Sequence, residues 1–173
     1  MALSLLRFLG LGASPRRSES QETQTVRRIA EQLDRLPAEQ ARYLASFAFV
    51  LARIAQADLE IDASELAEME RIVRTIARLS EAEAALVVQI AKSQAQHLGG
   101  TENYLVTREF RKLASREQRV ELLQCIYAVA AADGTISNVE SNEILRVAEE
   151  LGFTRPEANA LRSAYRDKLS EFQ

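Results

Sequence analysis

Between Pro37 and Gly99 the sequence contains neither glycine nor proline. No other feature constrains the fold as strongly, because these two residues punctuate turns and end regular elements. The stretch is far longer than an ordinary helix, so it must divide at polar signals instead. Elsewhere the pattern continues: six glycines and three prolines in 173 residues make about 5% of the chain, against an average near 12%. Long helices fit that scarcity, and a turn-rich β-sandwich does not.

Apolar spacing places the helices. Leu44, Phe47, Leu51 and Ile54 fall at intervals of 3, 4 and 3, one stripe of a helix over roughly 38 to 57. Tyr43, Phe49 and Val50 widen the stripe and predict burial on several sides. Leu66, Met69, Ile72, Val73 and Ile76 mark a second helix. Leu86, Val87, Ile90 and Ala91 mark a third, ending near His97. Tyr104 to Leu113 reads as a connecting helix. Val120, Leu122, Leu123, Ile126 and Val129 give another broad apolar helix, opened by a capping box from Ser115 to Gln118. Ile144 to Leu151 forms the next and stops at Gly152. Ala158, Leu161, Tyr165 and Leu169 predict a last helix, with Pro156 near its start.

Composition removes several function classes. A single cysteine, Cys125, excludes an internal disulfide framework. One histidine and no tryptophan exclude a Cys/His zinc site and an aromatic platform for bases. The net charge of −3 argues against nucleic acid as a partner. Cys125 lies on an apolar face and reads as a core residue, and His97 suits a helix C-terminus. Tyr127 and Tyr165 sit at core spacing with their hydroxyls expected at the rim. No nucleophile–base set and no phosphate loop can be assembled, so the expectation is a protein that is not an enzyme.

The chain repeats itself. Shifting residues 51–73 by 75 positions gives seven identities in 23. Ala55, Ala57, Asp58, Ile61, Glu65, Glu68 and Arg71 meet Ala130, Ala132, Asp133, Ile136, Glu140, Glu143 and Arg146. Each unit is a buried helix, a short acidic loop, an amphipathic helix and a third helix. Units this small make poor separate cores, so the two are expected to pack as one bundle. The fold class is therefore all-α: a single helical bundle of roughly seven to nine helices with two pseudo-symmetric repeats. The repeats cover about 38–97 and 115–170 within a helical domain of 35–173, preceded by a linker or first helix at 18–34.

The two loops carry the chemistry. Asp133-Gly134-Thr135-Ile136 and Asp58-Leu59-Glu60-Ile61 each place a Glu seven residues after the acid, Glu140 and Glu65. This is the second half of an EF-hand loop. The first half is missing, because Val129 and Ala131, or Ile54 and Gln56, stand where side-chain oxygens are needed. An ordinary EF-hand is excluded. A smaller oxygen site is the functional reading, from Asp133, Glu140 and Glu143, and from Asp58, Glu65 and Glu68. Its donors suit Ca²⁺, Mg²⁺ or Mn²⁺. The alternative is structural. Ser137 to Glu140 and Asp62 to Glu65 have capping-box spacing, and Glu68/Arg71 and Glu143/Arg146 are i, i+3 pairs. Gly134 is expected in a left-handed turn.

The A-x-A-D-G-x-I-x-x-x-E stretch from Ala130 to Glu140, the helix Ile144 to Leu151, Gly152-Phe153-Thr154 and Glu157 together resemble the tellurite-resistance TerB family. They also resemble the TerB-like N-terminal domain of the DjlA co-chaperones. Ala55 to Glu65 matches the upstream acidic motif, and the resemblance spans roughly residues 35–170. It implies an all-α bundle with internal pseudo-symmetry. It also implies candidate metal-binding acids at Asp58, Glu65, Asp133 and Glu140, and a role in bacterial stress and tellurite responses at the inner face of the membrane. A protein partner in the cytoplasm follows as an expectation. Leu59 departs from the pattern where Gly134 keeps it, and no J-domain signature is present.

Residues 1–17 stand apart. Leu3, Leu5, Leu6, Phe8, Leu9 and Leu11 are apolar, with Arg7 among them and Arg16 and Arg17 after Pro15. The run is too short to span a bilayer and its charge is misplaced for a signal peptide. Two readings stand: a short helix packed on the domain or a partner, or an amphipathic helix in weak contact with a membrane surface.

Overall fold

The computed structural model describes residues 21–55, 63–95, 103–132 and 134–172. These form eight α-helices: α1 (Gln21–Asp34), α2 (Ala38–Ala55), α3 (Ala63–Ala77), α4 (Glu81–Ala95), α5 (Asn103–Leu113), α6 (Arg116–Ala130), α7 (Asn138–Glu150) and α8 (Arg155–Ser163). Two short 3₁₀ turns follow, Arg166–Lys168 and Ser170–Phe172. The all-α expectation holds among the described residues.

The middle of the bundle is α2. Its stripe residues Leu44, Phe47, Leu51 and Ile54 are buried, and so are Phe49 and Val50 on its flanks. Burial all round follows from its neighbours, since α4, α5 and α6 pack along it and α7 touches it. Tyr43, Phe47 and Phe110 form an aromatic group, with Tyr43 and Phe110 stacked at 5.4 Å and Phe47 edge-on to Phe110 at 6.0 Å. One continuous apolar core draws residues from both repeats.

The repeat survives as geometry. The last residues of α2 and α6, Ala55 and Ala130, stand 75 positions apart, as do the first residues of α3 and α7, Ala63 and Asn138. The units are interleaved: α3 packs on α6 of the other repeat, and α7 packs on α2. Neither repeat closes a core without its partner, which is the physical reason for one bundle.

The helix ends are built by local hydrogen bonds. Reciprocal capping boxes open α6 (Ser115/Gln118), α7 (Ser137/Glu140) and α8 (Thr154/Glu157). Ser80 and Glu83 make the same exchange at α4. Gly152 ends α7 at φ +88°. Its N–H donates to Glu149 O and that of Phe153 to Ala148 O, at 2.9 and 3.0 Å, the paired bonds of a Schellman stop.

One helix prediction needs correction. The last helix does not run to Leu169. It ends at Ser163, and Tyr165 leaves helical geometry at φ −114°, ψ 19°. The apolar spacing of Tyr165 and Leu169 is still used for the core, but by a tail rather than a helix. Leu169 is extended and pairs with Ile136 as an isolated parallel bridge.

Candidate functional site

The second acidic loop joins α6 to α7. Its chain turns through Ala132 N–H to Val129 O at 3.2 Å and Gly134 N–H to Ala131 O at 3.0 Å. Gly134 has φ +104° with open space around it. Glycine is needed there for its backbone angle rather than for room. The expected left-handed turn is present. Ile136 then dives into the core, fully buried, and Ser137 caps α7.

Glu140 folds back onto that cap. Its Oε2 accepts from the Ser137 N–H at 2.8 Å and from Ser137 Oγ at 2.7 Å. Its own N–H donates to Ser137 Oγ at 3.2 Å. Both carboxylate contacts use Oε2, so Oε1 takes no part in the cap.

Glu143, one turn along, is drawn inward. Arg53 of α2 reaches it with Nη2 at 2.5 Å and reaches Glu150 with Nη1 at 2.6 Å. Arg53 also donates to Thr107 Oγ1 of α5 at 2.9 Å. The Arg53 side chain is only 6% exposed, and its buried Nε has no hydrogen-bond partner among the described residues. The two carboxylates raise the guanidinium pKa against the burial that lowers it. The expected Glu143–Arg146 pair exists but is longer, 3.6 Å. Periodicity alone gave no sign of Arg53. The available signal was one arginine inside the apolar run Phe47 to Ile54, matched by Ala128 in the other repeat, together with Glu143 and Glu150 seven residues apart on one face.

The first repeat uses its matched acid differently. Glu68 accepts from Arg71 at 2.9 and 2.6 Å on the surface, as its spacing predicts. Glu65 lies in the first turn of α3. Asp58, Asp62, Leu59 and Asp133 lie outside the described residues, as do His97 and residues 1–17. The structure thus brings Glu140 and Glu143 to consecutive turns of α7 and gives each a protein partner. Among the described residues no three His, Cys, Asp or Glu side chains gather as a metal-holding group.

Other groups with chemical potential are accounted for by packing. Cys125 is buried, and burial pushes its thiol up to about 12, which keeps it protonated at neutral pH. Tyr127 and Tyr165 stack at 5.3 Å, and the Tyr165 hydroxyl donates to Gln124 O at 3.3 Å. An open groove along α3 is lined by Glu70, Arg71, Arg74 and Arg78 among others. Arg71 is held by Glu68, and Arg78 lies 3.6 Å from Glu117 and 3.7 Å from Glu121, so its positive charge is largely compensated. No helix among the described residues is long and apolar enough to cross a membrane.

Fold and sequence together define a class: an all-helical bundle of two interleaved repeats, each with an acidic stretch of sequence ahead of an amphipathic helix. The family model described as tellurite resistance protein TerB matches residues 44–163, well over half of the chain, and the chain belongs to that family. Comparisons with curated proteins and with solved structures give no match.

Proposed function

We propose that this TerB-family bundle is a non-enzymatic interaction module of a bacterial stress response. It docks a protein partner in the cytoplasm, at the inner face of the membrane. The observation that carries this reading is the employment of its acids. Glu140 caps α7, Glu143 binds Arg53 and Glu68 binds Arg71. Acids used this way build a rigid surface. Val139, 80% exposed beside Glu140, adds an apolar contact to that surface.

A second reading is favoured by a different observation. Gly134 makes a left-handed turn of the kind a cation loop needs, and Glu140 Oε1 stands outside the cap. On this reading Asp133, Glu140 and Glu143 take Ca²⁺, Mg²⁺ or Mn²⁺, with Asp58, Glu65 and Glu68 as the weaker counterpart.

One titration separates the two. Each cation is added to millimolar concentration while amide shifts are followed from Gly134 to Glu140. The interaction-module reading expects no saturating shift. A saturating shift that vanishes in Asp133→Asn with Glu140→Gln would overturn it in favour of the cation. Glu140→Gln is a clean probe, because Gln118 already makes this cap at α6. Membrane contact is tested by liposome co-sedimentation with and without residues 1–17. Loss of binding on truncation supports it, and equal binding removes it.

A further inference from the structure

The tail after α8 does more than finish the chain. Ile136, in the middle of the second loop, has both backbone groups bonded to it. Its N–H donates to Lys168 O at 2.7 Å, and its C=O accepts from the Ser170 N–H at 3.0 Å. Leu169, between those two residues, is 2% exposed and shares the core with Ile136. Side chains extend the contact along α7. Ser170 Oγ donates to Asn138 Oδ1 at 3.4 Å. Arg162 joins buried Ser141 at 3.0 Å and Glu171 of the tail at 2.6 Å. Loop, helix start and tail form one connected set.

Among the described residues, the matching helix of the first repeat shows no such arrangement. Seventy-five positions before Leu169 and Ser170 stand Gln94 and Ala95, both still within α4. The second repeat gives up that helical segment, ending α8 at Ser163. Extended backbone at Leu169, φ −72° and ψ 127°, is what allows pairing with a loop, since helical amides and carbonyls are already used.

We propose that residues 166–172 are a strap that sets the conformational freedom of the second acidic loop. Docked, the strap fixes Ile136 and so the turn at Gly134 and the cap at Ser137. Released, it frees both backbone groups of Ile136 and uncovers the apolar seat of Leu169. Tail and loop are then coupled reciprocally: whatever favours one state of the loop favours the matching state of the strap. That this regulates binding rests on the function proposed above; the strap itself does not.

Hydrogen exchange on the full chain tests it. Ser170→Pro deletes the N–H that bonds Ile136 O. Leu169 already has the extended backbone that a residue before proline needs. Ser170→Ala removes only the Asn138 contact. The Ile136 amide is expected to exchange about fivefold faster or more in Ser170→Pro than in Ser170→Ala, the worth of one hydrogen bond. Leu51 in α2 should be unchanged. Equal Ile136 protection in the two variants would overturn the strap. Should Ser170→Pro fail to fold, Leu169→Ala gives the second measurement, with the same expected and opposing results. Millimolar Ca²⁺, Mg²⁺ or Mn²⁺ in the same experiment keeps the two proposals apart. Faster exchange in Ser170→Pro with no cation effect in any form retains the strap and removes the cation reading.

Discussion

A carboxylate's role here is set by which hydrogen bonds it makes. Glu140 and Gln118 occupy the same N3 position in two capping boxes, so the cap needs an acceptor rather than a charge. Glu140→Ala is expected to cost about 1 kcal/mol, and Glu140→Gln much less, by urea denaturation. Equal losses would show that charge dominates. Cap carboxylates also link stability to pH. Bonds from the Ser80 backbone hold Glu83 below its usual 4.5, and those from Thr154 do the same for Glu157. A lowered folded pKa contributes stability that is complete above the ordinary glutamate value and is lost as pH falls through the lowered one. The unfolding midpoint should therefore drop on acidification below about pH 4.5, and Glu83→Gln with Glu157→Gln should flatten that slope. Arg78 is a different residue-scale case. It holds φ +56° after α3, which strains a side-chain-bearing residue by about 1–2 kcal/mol. Its ion pairs are long, and its own side chain is 75% exposed. Arg78→Gly should raise stability by up to about 1 kcal/mol after glycine's greater unfolded freedom is subtracted; a loss would mean that the pairs matter.

At the scale of elements, termini were more legible than contacts. Ser115/Gln118, Ser137/Glu140 and the stop at Gly152 follow from local chemistry, because a cap is completed within four residues. The end of α8 was not legible. Tyr165 and Leu169 keep helical spacing while the backbone turns away, because a buried position can be reached from a 3₁₀ tail as well as from a helix. Gly152 shows how a local signal acquires a tertiary role. A Cβ there would meet the Arg111 guanidinium at 2.8 Å, and the backbone is left-handed besides. Gly152→Ala is expected to cost roughly 1–3 kcal/mol, measured as a shift in urea midpoint. A change under about 0.5 kcal/mol, the range of ordinary surface substitutions, would mean that Arg111 moves aside freely and the turn adapts.

At the scale of the molecule, Arg53 ties α2, α5 and α7 together with two carboxylates and a buried hydroxyl. Removing one partner of a buried pair leaves charge uncompensated, but Glu143 and Glu150 keep 29% and 17% exposure. Arg53→Met should therefore cost about 2–4 kcal/mol, toward the low end for such clusters. Arg53→Met with Glu150→Met should recover part of that loss, and failure to recover any would assign the cost to packing alone.

By itself the sequence determined the helical class, the 75-residue register of the repeat, most helix starts and the stripe that α2 buries. These depend on residues within one or two turns, where spacing and hydrogen bonding are fixed by backbone geometry. Only the tertiary structure decided the deeper partner of Glu143. Glu68 and Glu143 are equivalent in the repeat, yet one meets Arg71 on the surface and the other meets Arg53 beneath it. The strap on Ile136 belongs to the same category. Its partners are more than 30 residues apart in the chain, and no periodicity reports a contact closed by the packing of the whole bundle.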